Sequence, residues 1–195
     1  MENGFFAMHS RMKYIDRWAL MRNICKENIS EHSNDVASIA HVLAVIGNVR
    51  LGKKLNADRA AVLGLYHDMP EIITGDMPTP VKYHSTQIRK EFAEIENEAC
   101  ETLLSMLPGD IADIYRDFFF ENEDDAPLHL IVKAADKISA LIKCIEEKKA
   151  GNGEFDSAFE STEKAIKALH CPEADIFLEE FIPPFYKSLD ELTKE

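Results

Sequence analysis

An all-α domain is the fold class this sequence predicts, on three observations. Apolar residues recur at three-to-four spacing through most of the chain. No segment shows the sustained two-residue alternation with β-branched enrichment of a half-buried strand, and capping residues and prolines fall at the ends of the periodic stretches. At 195 residues the chain suits one compact domain spanning 1–195, long enough to bury most of its apolar surface without disulfides.

The elements follow in order. A first helix is expected from about Arg11 to Lys26. A second, capped by Asn28 or Ser30, carries Val36, Ile39, Leu43 and Ile46 on one stripe, and His32 begins that stripe. Asn56 caps a third helix in which Ala60, Leu63 and His67 share a face. Pro70 disfavours helical geometry at Met69 and lacks an N–H, so this helix should end or kink just past His67.

Gly75-Asp76-Met77-Pro78-Thr79-Pro80 reads as a loop. A long charged helix follows, with Ile88, Phe92, Ile95, Ala99 and Leu103 on its apolar face. A shorter helix covers Asp110 to Phe120, Glu121 to Asp125 forms an acidic loop, and Pro127 suits the first turn of a helix that ends before Gly151. Two more helices fill Phe155 to Leu169 and Ala174 to Leu189, the second interrupted at Pro183-Pro184. There is no internal repeat, low-complexity tract or long linker.

Composition narrows the partners. The formal charge of −13, from 35 acidic and 22 basic residues, repels polyanions, so long DNA or RNA is not expected as a partner. A small phosphorylated ligand stays open, because one cation in a cleft reverses the local field. Cys25, Cys100, Cys144 and Cys171 show no C-x-x-C spacing, and the N-terminal residues have neither a basic start nor an apolar run. A reducing, cytoplasmic setting is expected, with no membrane span.

Chemistry concentrates in four residues. His32, the adjacent pair His67-Asp68, and Asp136 come from three different helices, and two imidazoles with two carboxylates can hold one divalent cation. Neighbours on a helix point roughly a hundred degrees apart, so His67 and Asp68 share an ion only at a helix end facing a cavity. Asp136 sits mid-helix among Ala134, Ala135, Ile138 and Leu141, where a buried unpaired carboxylate would cost several kcal/mol. Lys133 or Lys137 is its ordinary partner, but neither explains the helix-breaking proline beside His67-Asp68. A metal explains both.

With nitrogen and oxygen donors only, Mn²⁺, Co²⁺, Zn²⁺, Fe²⁺ and Mg²⁺ all fit. Four protein ligands leave positions open, where water has its pKa lowered from ~16 to about 7 or a phosphoryl oxygen is polarised. His9, His41, His84, His129 and His170 lack comparable context, so one ion is expected rather than two.

The set His32, His67-Asp68, Asp136 resembles the H…HD…D signature of the HD-domain metal-dependent phosphohydrolases, which are helical bundles. Ile15-Asp16-Arg17-Trp18, Asn28-Ile29-Ser30-Glu31-His32-Ser33, Glu71, Thr74-Gly75-Asp76 and Pro78-Thr79-Pro80-Val81-Lys82 narrow this. With Lys143-Cys144 and Ala150-Gly151-Asn152 they are similar to the bacterial 5'-deoxynucleotidases, which remove phosphate from 2'-deoxynucleoside 5'-monophosphates. The similarity covers nearly the whole chain. It implies that His32, His67, Asp68 and Asp136 ligate one divalent ion, and that Arg17, Trp18, Glu71 and Asp76 complete the pocket of a homodimeric enzyme.

Each implied role has a physical basis. Arg17 offers a planar fork of donors to phosphate oxygens. Trp18 would press on the sugar where a ribose carries its 2'-hydroxyl. Glu71, one turn past His67, would be general acid or base, and Asp76 would accept a hydrogen bond from the 3'-hydroxyl. Thr79 and Lys82 are weaker candidates for substrate contact. Met69-Pro70 departs from the small or polar residues of the family pattern, which bears on where Glu71 points.

Two alternatives remain at this stage. One is another HD phosphohydrolase, acting on a nucleoside triphosphate, an alarmone or a cyclic dinucleotide, but no Lys or Arg lies between Val62 and Thr79. The other is a non-catalytic helical scaffold stabilised by its metal.

Overall fold

A computed structural model describes residues 3–82, 84–120 and 122–193. Its helices are α1 (Phe5–His9), α2 (Ile29–Leu51), α3 (Ala57–Tyr66), α4 (Glu71–Thr74), α5 (Thr79–Lys82), α6 (Thr86–Leu104) and α7 (Gly109–Phe119). They continue with α8 (Ala126–Lys149), α9 (Asp156–Ala168), α10 (Pro172–Glu180) and α11 (Leu189–Thr193). Short 3₁₀ turns occupy Met12–Tyr14, Gly153–Phe155 and Pro183–Tyr186. No strand occurs among the described residues beyond one antiparallel bridge, Asp16 with Asn28. The all-α expectation holds.

Helix α2 is the axis of the fold. The Asn28 side chain accepts the N–H groups of Ser30 and Glu31, both at 3.0 Å, and Glu31 reaches back to the Asn28 N–H at 3.3 Å. Of the two expected caps, Asn28 is the one used, an arrangement typically worth ~1 kcal/mol. The stripe Val36, Ile39, Leu43 and Ile46 is buried against Leu63 of α3 and Ile131, Ile138, Leu141 and Ile145 of α8. Each such side chain gains roughly 1.5–3 kcal/mol from burial.

Close approach of α2 and α3 depends on Gly64. A Cβ there would stand 3.0 Å from the Ala37 Cα and N, so a larger residue would push apart the helices that bring His32 and His67 together. Asn56 caps α3 through the Arg59 N–H (2.9 Å), as expected. The helix then stops at Tyr66 and Pro70 begins the short α4.

A second apolar cluster gathers Phe5, Met12, Ile29, Tyr66, Met69, Leu103, Leu104 and Leu107, and Phe118 packs against both clusters.

Three expectations are corrected. Arg11–Lys26 is not a helix: beyond the 3₁₀ turn at Met12–Tyr14 the chain is extended or bent. Trp18 has φ 59°, the left-handed region that no right-handed helix accepts. The Arg17 N–H donates to the Glu27 carbonyl (3.0 Å) and the Ile29 N–H to that of Ile15 (3.0 Å), so the segment pairs across itself rather than along a helix. Thr79-Pro80, expected in a loop, begins α5, because Pro fits a first helical turn. Ile95 is 50% exposed rather than part of the buried stripe of α6.

The interruption expected at Pro183-Pro184 is present: α10 ends at Glu180, and the prolines, lacking the N–H groups to continue it, open a 3₁₀ turn. Of the acidic loop, Asn122 to Asp125 is irregular as expected, and Glu121 lies outside the described residues.

Candidate metal centre and substrate pocket

His32 comes from the first turn of α2, His67 from the end of α3, Asp68 from the turn before Pro70, and Asp136 from the middle of α8. The fold brings His32, His67 and Asp68 into one group, with Asp136 joined to it through His32. His32 Nε2 stands 3.2 Å from Asp136 Oδ1 and 3.4 Å from Asp68 Oδ2, and His67 Nε2 stands 3.2 Å from the same Asp68 oxygen. His32, His67 and Asp68 each offer a ligand atom within 4.8 Å of the others. The helix end at His67 is what lets adjacent residues face one point.

The donor atoms fit a cation. Both Nε2 atoms are buried and make no hydrogen bond, although carboxylate oxygens lie so near. Two ligands each about 2.1 Å from an ion stand about 3.0 Å apart at an octahedral angle and about 3.4 Å apart at a tetrahedral one. The observed separations fall in that range. His67 Nδ1 donates to the Gly64 carbonyl (2.7 Å), which can only accept, so in the neutral ring Nε2 carries the lone pair.

His32 Nδ1 has two neighbours, Arg17 Nη1 at 2.7 Å and Ser139 Oγ at 3.0 Å. Arg17 donates there only while that nitrogen is bare. Were His32 to ligate an ion through Nε2, the proton would sit on Nδ1 with Ser139 as its acceptor, and the guanidinium would be free for another acceptor.

Electrostatics agree with this assembly. Burial opposes charge on Asp68, yet the two imidazoles hold it well below the usual carboxylate range. Asp136 is lowered against burial by His32, and His67 is raised against burial by Asp68. Lys133 and Lys137, the ordinary partners weighed for Asp136, are not the groups that meet it: its near neighbours are His32 and Arg17 Nη2, the latter at 3.9 Å.

Glu71 lies in the first turn of α4. Burial, Asp68 and Asp76 push its carboxyl up to about 9, and its buried Oε2 has no hydrogen-bond partner. Asp76 is raised by burial and by Asp68, with Arg17 opposing. Apart from the imidazoles, Arg17 is the cation shared by Asp68, Asp76 and Asp136, and Glu71 faces both Arg17 and Lys82. A phosphate would meet a negative cavity unless a dication reversed its sign.

Arg17, Trp18, Asp76 and Asp136 line a cavity of about 760 Å³, within the usual range for small-molecule sites. Pro78, Thr79 and Lys137 share the lining. Lys82 instead pairs with Glu96 at 2.8 Å. The Trp18 indole rests on Phe155 with ring centres 5.3 Å apart. Sequence reasoning missed Glu27, whose Oε2 accepts from both Trp18 Nε1 (2.9 Å) and Arg17 Nη1 (3.1 Å). Beside Lys26 it reads as an ordinary surface carboxylate, and nothing in the spacing marks it. Ser139 was missed too, although a polar residue one turn beyond Asp136 on the same apolar face was a usable clue.

Compared with solved structures, the architecture is that of HD-domain phosphohydrolases. One such enzyme from Listeria innocua superposes with a TM-score of 0.81 at 25% identity, covering 95% of this chain and 89% of that one. An HD phosphohydrolase of cyanophage S-2L, solved with dA and one catalytic Zn²⁺, shares the fold at a TM-score of 0.64 and 19% identity, over 91% and 95% of the two chains.

Residues 4–185 match the model of the 5'-deoxynucleotidase YfbR-like family, and the chain belongs to that family. The 5'-deoxynucleotidase YfbR of Salmonella paratyphi B is 46% identical over 194 residues, covering 100% of this chain and 98% of that protein.

Proposed function

We propose that this protein hydrolyses 2'-deoxynucleoside 5'-monophosphates to deoxynucleoside and phosphate, as a phosphoric monoester hydrolase dependent on one divalent ion. The observation that carries the reading is the grouping of the His32, His67 and Asp68 donors beside Asp136, which with Arg17 and Trp18 lines one cavity. Family membership and the activity named for the Salmonella relative support it.

His32, His67, Asp68 and Asp136 would hold the ion, which when bound supplies positive charge to phosphoryl oxygens and acidity to water. Mn²⁺, Co²⁺, Zn²⁺, Fe²⁺ and Mg²⁺ remain chemically suitable, and the Zn²⁺ of the cyanophage protein supports zinc as one of them. Arg17 binds the phosphate through paired donors once its fork leaves His32. Trp18 packs against the sugar face and takes the space that a 2'-hydroxyl would need. Asp76 accepts from the 3'-hydroxyl. Glu71 holds a proton at its carboxyl and passes it to the departing 5'-oxygen. Positioning and charge carry most of the rate gain, as phosphoryl transfer requires.

A triphosphate or cyclic dinucleotide substrate fits less well, because the cations lining the cavity are Arg17 and Lys137. We read the chain as a single domain over 1–195, supported by Phe118 joining the two apolar clusters. Four unpaired cysteines support a cytoplasmic setting. Phe181, Phe185 and Tyr186, 37%, 37% and 49% exposed, offer apolar contact for a homodimer. No helix among the described residues is long and apolar enough to cross a membrane.

The test is phosphate release from paired ribo- and deoxyribonucleoside monophosphates, after EDTA and re-addition of each of the five metals. Metal-dependent release that favours the deoxy substrates is expected. Pyrophosphate or triphosphate release, or indifference to EDTA, would overturn the reading. A metal-stabilised scaffold would lose thermal stability on chelation without ever releasing phosphate.

A further inference from the structure

The chain from Arg17 to Glu27 forms one wall of the cavity, through Arg17, Trp18, Leu20 and Met21, yet it contains no helix. Apolar packing does not explain its position, since Leu20 is 75% exposed and Ile24 57% exposed. A buried polar cluster at the end of α8 does. Glu147, fully buried, accepts the backbone N–H of Ile24 (3.0 Å) and of Cys25 (2.9 Å). Lys143 donates to the Cys25 carbonyl and, at 2.5 Å, to Glu147 Oε1. Asn152 Nδ2 donates to the Arg22 carbonyl and to Glu147 Oε2, both at 2.7 Å.

A buried Lys–Glu pair is seldom more stabilising than apolar side chains of the same volume, because desolvation offsets the attraction. What apolar residues would not supply is directed bonding to the backbone at three successive points, Arg22, Ile24 and Cys25. At its other end the wall is tied by Glu27 to Arg17 and Trp18.

We propose that Glu147, with Lys143 and Asn152, is a positioning residue for the substrate pocket: it fixes the Arg22–Cys25 backbone and thereby holds Arg17 and Trp18 in place before substrate arrives. The proposal rests on the deoxynucleotidase reading for its kinetic consequence. Its structural consequence is independent of that reading.

Trp18 is the single tryptophan of the chain, so fluorescence excited at the red edge of the indole band, where the five tyrosines do not absorb, reports on this wall alone. In the metal-loaded protein, Glu147→Ala should make Trp18 more accessible to acrylamide. Glu147→Gln, which keeps one acceptor oxygen, should fall between that variant and wild type. For a deoxynucleoside monophosphate, Glu147→Ala should raise KM about tenfold with a much smaller change in kcat and one metal still bound per chain. Asn152→Ala, which loses the Arg22 bond and spares the buried pair, should move both readouts in the same direction by less, and it decides the matter if Glu147→Ala does not fold. Wild-type quenching and KM in the folded variants would overturn the proposal. Should wild-type protein release no phosphate from any deoxynucleotide, the functional reading fails, and quenching alone then decides whether Glu147 holds the wall.

Discussion

The metal side of the pocket and its substrate-facing wall are built on different principles. His32, His67 and Asp136 are carried by α2, α3 and α8, whose stripes lock together in the main apolar cluster, so close packing of the helices places them. Arg17 and Trp18 ride on irregular chain, and their position comes from buried hydrogen bonds to Glu27, Glu147 and Asn152. The lesson is that the reacting centre should tolerate changes to the wall, and the wall changes to the centre. Apart from Arg17, which touches both His32 and Asp136, substitutions on either side should therefore separate into loss of chemistry and loss of selectivity.

The largest effect belongs to the helix-borne side. Asp68→Ala or His67→Ala should abolish bound metal by elemental analysis and reduce phosphate release by about a thousandfold or more, since a catalytic ion supplies several kcal/mol of transition-state stabilisation. Next comes Glu71→Gln, expected to lower kcat by about 10²–10⁴-fold with the ion retained. Loss of the ion in that variant would make Glu71 a ligand instead of the proton carrier.

On the wall, Trp18→Ala should narrow the preference for deoxy over ribo substrates by about tenfold in kcat/KM, the range that steric exclusion of one small group provides. Metal content should not change. A smaller effect returns to the helices: Ser139→Ala removes the acceptor for His32 Nδ1–H and should weaken metal binding about tenfold, with turnover restored at saturating metal.

The subtlest prediction concerns acid. Burial disfavours charge on Glu147, but bonds from Lys143, Asn152 and the Ile24 and Cys25 backbone lower its carboxyl from 4.5 to about 2. A depressed carboxylate stabilises the fold fully above its unfolded value and loses that contribution as pH falls. The Tm difference between wild type and Glu147→Ala should thus be several degrees at neutral pH and shrink between pH 4.5 and 2. A difference that grows on acidification would contradict the assigned bonding.

How much of this was legible in the sequence divides along the same line. Val36, Ile39, Leu43 and Ile46 repeat at helical spacing and Asn28 precedes Glu31 by three residues, so α2 and its cap follow from local rules. Pro70 beside His67-Asp68 announced the helix end that aims both side chains at one point. The wall was not legible. Residues 11–26 contain nothing that forbids a helix, and what prevents one is tertiary: the left-handed Trp18, the Asp16 to Asn28 bridge, and bonds to Glu147 and Asn152 more than a hundred residues away. Arg17 and Trp18 were found through family resemblance, whereas Glu27 and Ser139 became visible only when folding placed them against Arg17 and His32.

The central claim is that four side chains from three parts of the chain share one cation, and anomalous scattering from metal-replete crystals tests it most directly. The account predicts one peak per chain, bounded by His32 Nε2, His67 Nε2, Asp68 and Asp136, that vanishes after EDTA together with phosphate release. Crystals with no peak there, grown from protein that still hydrolyses deoxynucleoside monophosphates, would contradict it.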